Sequence, residues 1–224
     1  IFWHRTPPVC AHIPGLKMFI TLEGPDGSGK TSQIKGLAAY LRELGFDVLT
    51  TREPGGTDVG DQIRQVLMRL ENQSLQPRTE ILLFLAARAQ LVDEVIKPAL
   101  KAGKVVLCDR YGDSTLAYQG YGHGLDLKVL RSMLDFATDH LKPDLTLLLD
   151  LDAEAGLQRK RKEAEWNRLD AYEVAFHQRV RAGYFELCAQ EPERWRVIDA
   201  SAPMEVVQLT IREAVASFIA EKRI

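Results

Sequence analysis

Short apolar runs alternate with stretches of helical periodicity along the chain. Residues 19–22, 47–51, 104–108, 145–149 and 195–198 read as strands. The run 145–149 is apolar without alternation, as expected of a strand covered on both faces. Helical spacing predicts helices over 30–44, with Gly45 as C-cap, and over 58–71. A long helix is expected over 78–101, with Pro77 in its first turn and Pro98 near its end. Further helices are expected over 126–140 (stopped by Pro143), 153–162, 171–190 and 204–222. Residues 52–57, carrying Pro54-Gly55-Gly56, read as a loop, and Ser114 to Gln119 read as a polar, glycine-containing loop. Strands that alternate with helices argue for a parallel sheet flanked by helices, a three-layer α/β/α domain. No repeat, low-complexity tract or linker divides residues 18–224, so they are read as one domain.

Residues 1–17 stand outside this pattern. They do not begin with Met, contain Pro7, Pro8 and Pro14, and lack the apolar core of a signal peptide. They read as a disordered extension or a mis-called start ahead of Met18.

Composition narrows the class. Hydrophobic residues at 46% and charged residues at 27% suffice for a core without staples, which excludes disordered and disulfide-scaffold readings. A net charge of −2 gives no general reason to bind nucleic acid or an anionic membrane. Cys10, Cys108 and Cys188 have no metal-ligand spacing and read as reduced thiols of a cytoplasmic protein. No apolar run approaches the roughly 18 residues of a membrane span.

The chemistry begins at Gly24-Pro25-Asp26-Gly27-Ser28-Gly29-Lys30-Thr31, which fits G-x-x-x-x-G-K-[ST] between a strand and a helix. Glycines let main-chain N–H groups turn inward around phosphate oxygens, and the helix start adds its positive end. Lys30 can reach the terminal phosphates and Thr31 can ligate Mg²⁺. A phosphate loop alone does not choose among GTPases, motors, transporters and kinases.

The second ligand must be read from the remaining polar residues. Asp26, inside the loop, is unfavourable beside a phosphate unless it binds a sugar hydroxyl or orients a cation; otherwise it is a solvated acid. Arg64, Arg88 and Arg110 are candidate phosphate or base clamps, because guanidinium donates paired hydrogen bonds. Arg88 shares a helical face with Ile81 and Phe84. Either Phe84 stacks on a flat base whose edge Arg88 reads, or Phe84 is a core ring beside a snorkelling Arg. Asp109-Arg110-Tyr111 ends a strand, where ligand crevices form in α/β sheets; Asp109 can bind Mg²⁺ directly or through water. Gln119 can read a pyrimidine edge. The basic run from Arg159 to Arg168 is either a solvated face or a cationic flap that closes on a transferring phosphoryl group.

Taken together, these residues resemble the bacterial thymidylate kinase family. The resemblance runs from about Met18 to the C-terminus. It is carried by Leu22-Glu23 with the phosphate loop, Thr51-Arg52-Glu53-Pro54-Gly55-Gly56-Thr57, and Leu83-Phe84-Leu85-Ala86-Ala87-Arg88. Asp109-Arg110-Tyr111, Ala117-Tyr118-Gln119-Gly120, Pro143-Asp144-Leu145-Thr146 and Asn167-Arg168-Leu169-Asp170 complete it. The resemblance implies a five-stranded parallel sheet of the P-loop, nucleoside monophosphate kinase type, and usually a homodimer. It implies transfer of phosphate from ATP to dTMP with Mg²⁺, on the way to dTTP. It also implies roles: Asp26 at the sugar 3′-hydroxyl, Phe84 stacked on thymine and Arg88 at its edge. Arg64 and Arg110 would handle the dTMP phosphate, and Glu53, Pro54, Ser114, Thr115 and Gln119 would line the pocket. Tyr118 would disfavour a ribose 2′-hydroxyl. Gly27 groups this chain with members whose catalytic Arg lies in the lid, about 159–170, where Arg161 and Arg168 are candidates and Arg159 flanks adenine. The alternatives are another nucleoside monophosphate or deoxynucleoside kinase, or a regulatory nucleotide-binding protein; no guanine-reading N-K-x-D sequence supports the last.

Overall fold

A computed structural model describes residues 16–162 and 166–222. The expected extension therefore lies almost wholly outside the described residues, as do three positions of the expected lid. Five parallel strands, β1 (Met18–Glu23), β2 (Val48–Arg52), β3 (Val105–Asp109), β4 (Leu145–Asp150) and β5 (Trp195–Asp199), form one sheet in the order β2-β3-β1-β4-β5. The helices are α1 (Lys30–Glu43), α2 (Asp58–Met68), α3 (Pro77–Leu91), α4 (Lys97–Lys101), α5 (Gly112–Thr115), α6 (Leu127–Thr138), α7 (Ala153–Lys160), α8 (Val174–Gln190) and α9 (Met204–Glu221).

Alternation along the strands builds the three layers. Met18, Ile20 and Leu22 of β1 pack with Val105, Leu107, Leu145, Leu147 and Leu149 against α1 and α9. The intervening side chains face the other way: Phe19, Val106 and Cys108 lie against α3 and α4, and Leu148 lies against α6 and α8. Both faces are therefore dry, which explains why the central strands lack polar alternation. Thr21 and Thr146, buried between layers, satisfy each other at 3.0 Å.

Three sequence expectations are corrected. The helix expected over 78–101 is interrupted by a π-helical segment, Val92–Ile96. Pro98 explains it: proline has no N–H to donate one turn back, and its ring crowds the carbonyl there, so the backbone widens. The helix expected to 71 ends at Met68, where Arg69 turns to extended backbone. The segment read as a polar loop is helical: α5 runs into a π-helical stretch, Leu116–Gly122. That widened turn brings Ser114, Thr115, Tyr118 and Gln119 onto one face.

Side chains cap α2 and α7. Thr57 accepts from the Gly60 N–H at 2.9 Å, and Asp152 accepts from the N–H groups of Glu154 and Ala155. A largely buried bidentate pair joins the turn before β5 to α5: Arg194 meets Asp113 at 2.7 and 3.0 Å and also donates to Thr146 at 2.6 Å. Replacing Asp113 with Ala leaves Arg194 to the more exposed Glu191, 3.1 Å away, and is expected to cost about 1–3 kcal/mol in urea unfolding. Asp113→Ala/Arg194→Met is expected to recover part of that loss, because the buried charge is then removed.

Candidate active site

The carboxyl ends of β1 and β3 open onto a cleft of about 720 Å³. The sheet order places a chain crossover there, the usual ligand position in such sheets. The glycines of the loop after β1 hold backbone that other residues rarely adopt: φ is 137° at Gly24, 77° at Gly27 and 85° at Gly29. Space excludes a side chain at two of them. A Cβ at Gly24 would run into the Leu149 carbonyl oxygen, and one at Gly27 into that of Gly156 in α7. Gly156 in turn has room for no Cβ beside the Asp26 carbonyl. The phosphate loop and the helix leading to the lid thus touch backbone to backbone.

Lys30 is buried and curls over its own loop, donating to Gly24 O at 3.1 Å, Pro25 O at 2.8 Å and Ser28 Oγ at 3.2 Å. Burial and repulsion from Arg110 lower its pKa to about 8, against the partial support of Asp26, Asp109 and Glu23. Thr31 Oγ1 donates to Asp109 Oδ2 at 2.7 Å, bringing two hard oxygen ligands together at the cleft wall.

Asp26 is no solvated acid. Its Oδ1 takes Arg110 Nη2 at 2.6 Å and its Oδ2 takes the Tyr118 hydroxyl at 2.6 Å. Burial alone would raise this carboxyl, but Arg110 and Lys30 more than offset it and hold it well below the usual carboxylate range. Arg110 has left-handed backbone (φ 68°) and also donates to Gly24 O, Ser114 Oγ and the Tyr184 hydroxyl. Such backbone costs on the order of 1–3 kcal/mol outside glycine, which these bonds offset.

The opposite wall belongs to α3. Phe84 lines the cleft, and Arg88 beside it is fully buried rather than snorkelling. Glu53 Oε2 sits between Arg88 Nε at 2.7 Å and Nη2 at 2.6 Å. Nη1 donates to Thr115 and Nη2 to Tyr111 O. Arg64 donates to Pro54 O at 3.1 Å, and both residues line the cleft with Glu53, Ser114, Thr115, Tyr118 and Gln119.

The lid candidates separate. Arg159 donates to Ala200 O at 3.0 Å, at the end of β5. Arg161 is exposed, with its guanidinium 5.6 Å from the centroid of the Trp166 ring, and Trp166 lines the cleft. Arg168 is placed differently from a cation at the transferring phosphate. It is buried, donating to Leu67 O, the Tyr172 hydroxyl and Glu80. Its neighbours Asn167 and Leu169 line the cleft, but its own guanidinium is committed behind the wall.

Two acids were not singled out from sequence. Glu23, the last residue of β1, accepts from the Tyr111 N–H, Ser114 and Tyr184, and burial with the nearby Asp113 raises its pKa to about 7. Glu80 accepts from Gln119 and Arg168. Its position one helical turn before Phe84 was the available signal.

A glycine-lined phosphate cradle, a lysine and a Thr–Asp oxygen pair, facing an aromatic and guanidinium wall across one cleft, define a P-loop phosphotransferase with a second ligand compartment. The thymidylate kinase family profile matches residues 22–211. Thymidylate kinase of Roseiflexus castenholzii is 50% identical over 218 residues, covering 92% of this chain and 95% of that protein. That of Thermomicrobium roseum is 55% identical over 193 residues, covering 86% and 91%. A crystal structure of thymidylate kinase from Ehrlichia chaffeensis superposes with a TM-score of 0.72 at 36% identity, covering 89% of this chain and 99% of that one. This chain belongs to the thymidylate kinase family.

The backbone contact at Gly27 is testable against a matched glycine. Gly103 has φ 78° and nothing near a built Cβ. Gly103→Ala should cost only the strain of left-handed backbone, about 1–2 kcal/mol. Gly27→Ala should cost more, because the Gly156 carbonyl must also move. Urea unfolding of the two variants separates strain from contact.

Proposed function

We propose that this enzyme transfers the terminal phosphoryl group of ATP to dTMP, giving ADP and dTDP for dTTP synthesis. The reading rests on one observation: the phosphate loop and the Phe84–Arg88 wall share a single cleft. Thymine is flat, apolar on its faces and polar on its edge, which suits a ring beside a guanidinium. Asp26 suits the deoxyribose 3′-hydroxyl, and the Tyr118 ring stands where a 2′-hydroxyl would crowd it. Arg64 and Arg110 serve the dTMP phosphate, with Glu53, Pro54, Ser114 and Thr115 around the nucleoside.

The reaction needs no strong base. A phosphate monoester loses its second proton at about pH 6, so the attacking oxygen of dTMP is already ionised. It attacks the γ-phosphorus in line, and the bond to the β-phosphate oxygen breaks. Catalysis is then positioning and charge neutralisation. Lys30 exchanges loop carbonyls for phosphate oxygens, Arg110 holds the acceptor phosphate, and Arg161 is the lid cation. Arg168 anchors that lid, and Arg159 stands beside adenine. Thr31 and Asp109 fit Mg²⁺, since both offer hard oxygen donors. Among the described residues no cluster of three or more His, Cys, Asp or Glu side chains could hold a metal. Mg²⁺, when bound, supplies neutralisation of the phosphate charge.

A homodimer is part of the proposal. The adjacent helices α2, α3 and α6 expose Val59, Val66, Leu82, Val129 and Phe136, the last 90% exposed. We place the enzyme in the cytoplasm, with Cys108 and Cys188 as free thiols. Among the described residues no helix is long and apolar enough to cross a membrane.

An ADP-release assay with dTMP, dUMP, dCMP and thymidine as acceptors tests the activity. Turnover is expected to be fastest with dTMP and absent with thymidine, which carries no phosphate. Preference for dCMP or thymidine, or ATP hydrolysis that ignores the acceptor, overturns the reading. The pKa of Lys30 gives a second expectation. Its charge is present below about pH 8 and lost above it in the free enzyme. The kcat/KM for ATP should therefore fall above about pH 8, whereas kcat, measured with phosphates holding Lys30 protonated, should persist to higher pH. A kcat/KM that stays level through pH 10 excludes this role.

A further inference from the structure

We propose that Glu80 is a positioning residue for base selection: its carboxylate fixes the side-chain amide of Gln119 so that the carbonyl end serves the pyrimidine. The proposal rests on the cleft being a pyrimidine nucleotide site. Glu80 is wholly inaccessible to solvent, one helical turn before Phe84 and two before Arg88. Its Oε1 receives Gln119 Nε2 at 2.7 Å, and its Oε2 receives Arg168. The Tyr172 hydroxyl lies 3.4 Å from Oε2, and His123 Nε2 lies 3.6 Å from Oε1.

The argument is one of donors and acceptors. An ionised carboxylate only accepts hydrogen bonds, so the amide must turn its NH₂ group toward Glu80. Arg168 supplies the counter-charge that keeps Glu80 ionised in a buried place. Gln119 lines the cleft, and the end of its amide not spent on Glu80 is the acceptor. Thymine and uracil carry an N3–H donor, which such an acceptor matches. Cytosine carries an N3 lone pair, which would face the carbonyl acceptor against acceptor. Arg88 addresses the neighbouring edge atom, so the two residues read adjacent positions of one base. Glu80 therefore acts on selectivity without touching the substrate.

The test compares kcat/KM for dTMP and dCMP in the full-length enzyme. Glu80→Gln presents an amide that can donate or accept, so Gln119 is free to turn over. The preference for dTMP over dCMP should narrow by about tenfold, in the range of the net worth of one hydrogen bond. Glu80→Asp, which keeps an acceptor-only group, should retain most of the preference. Gln119→Leu should narrow it similarly, and Glu80→Gln/Gln119→Leu should narrow it no further than either single change. A merely structural role for Glu80 would lower both rates together and leave their ratio unchanged. A folded Glu80→Gln protein with an unchanged ratio, or single effects that multiply in the double variant, overturns the proposal. Should Glu80→Gln fail to fold, the Gln119 side-chain NH₂ signals of the unaltered enzyme decide by NMR. Protection from exchange before and after dTMP binding supports the proposal; exchange as fast as that of an exposed glutamine overturns it. Failure of the unaltered enzyme to phosphorylate dTMP at all would instead overturn the reading of the cleft.

Discussion

The ion pair between Arg110 and Asp26 governs how this cleft can exist without its ligands. A site for two phosphate-bearing substrates must gather cations, and gathered cations repel one another. Arg110 already lowers the pKa of Lys30. Each cation is therefore given an internal partner. Arg110 meets Asp26, Arg88 meets Glu53, and Lys30 bonds to the carbonyls of its own loop. Asp26 looks unfavourable in a phosphate loop when considered alone. Set against Arg110 at 2.6 Å, it is the counter-charge that lets a guanidinium wait beside the phosphate site. The pair also joins the loop after β1 to the turn after β3, so the two halves of the cleft are fixed relative to each other before substrate arrives.

The same economy shapes the lid. Its entering end, α7, is seated on the phosphate loop through Gly27 and Gly156, with no side chain between the two backbones. Its leaving end is held by Arg168, whose N–H groups reach Leu67, Tyr172 and Glu80. The basic run is bracketed by these two anchors. A substitution at either glycine would displace the lid and the loop together, because each backbone is the other's contact surface. Gly27 is thus constrained by its neighbour as much as by its positive φ.

How much of this was legible depended on the range of the interaction. The strands were legible because burial on both faces leaves a purely apolar signature, and the phosphate loop because its glycines, lysine and threonine must stand at fixed spacing. The face shared by Phe84 and Arg88 followed from helical periodicity. What Arg88 does did not, because Glu53 lies 35 residues away and no periodicity reports it. The partners of Arg168 were not legible for the same reason. Its local surroundings are basic and suggest a phosphate flap, but its partner Glu80 is 88 residues distant. The helix containing Ser114 and Gln119 was missed for a different cause. Its polar residues line a cleft instead of facing solvent, so it lacks the two-sided pattern by which helices are recognised.

Glu80, Phe84 and Arg88 form a stripe of acid, ring and base on one helix, all turned inward. Stability does not explain it. Replacing a buried ion pair by apolar side chains of similar volume is often neutral or stabilising, and an all-apolar stripe would carry less desolvation cost. The charges do what an apolar wall cannot: each fixes the orientation of a polar group. Glu53 and Thr115 hold the plane of the Arg88 guanidinium, and Glu80 holds the amide of Gln119. A base presents its donors and acceptors in one plane, so a reader whose own groups could rotate would accept several bases equally well. On the proposed reading of the cleft, rigid polar groups around an apolar ring are the physical requirement for choosing one pyrimidine, and the buried acids behind the wall are placed to meet it.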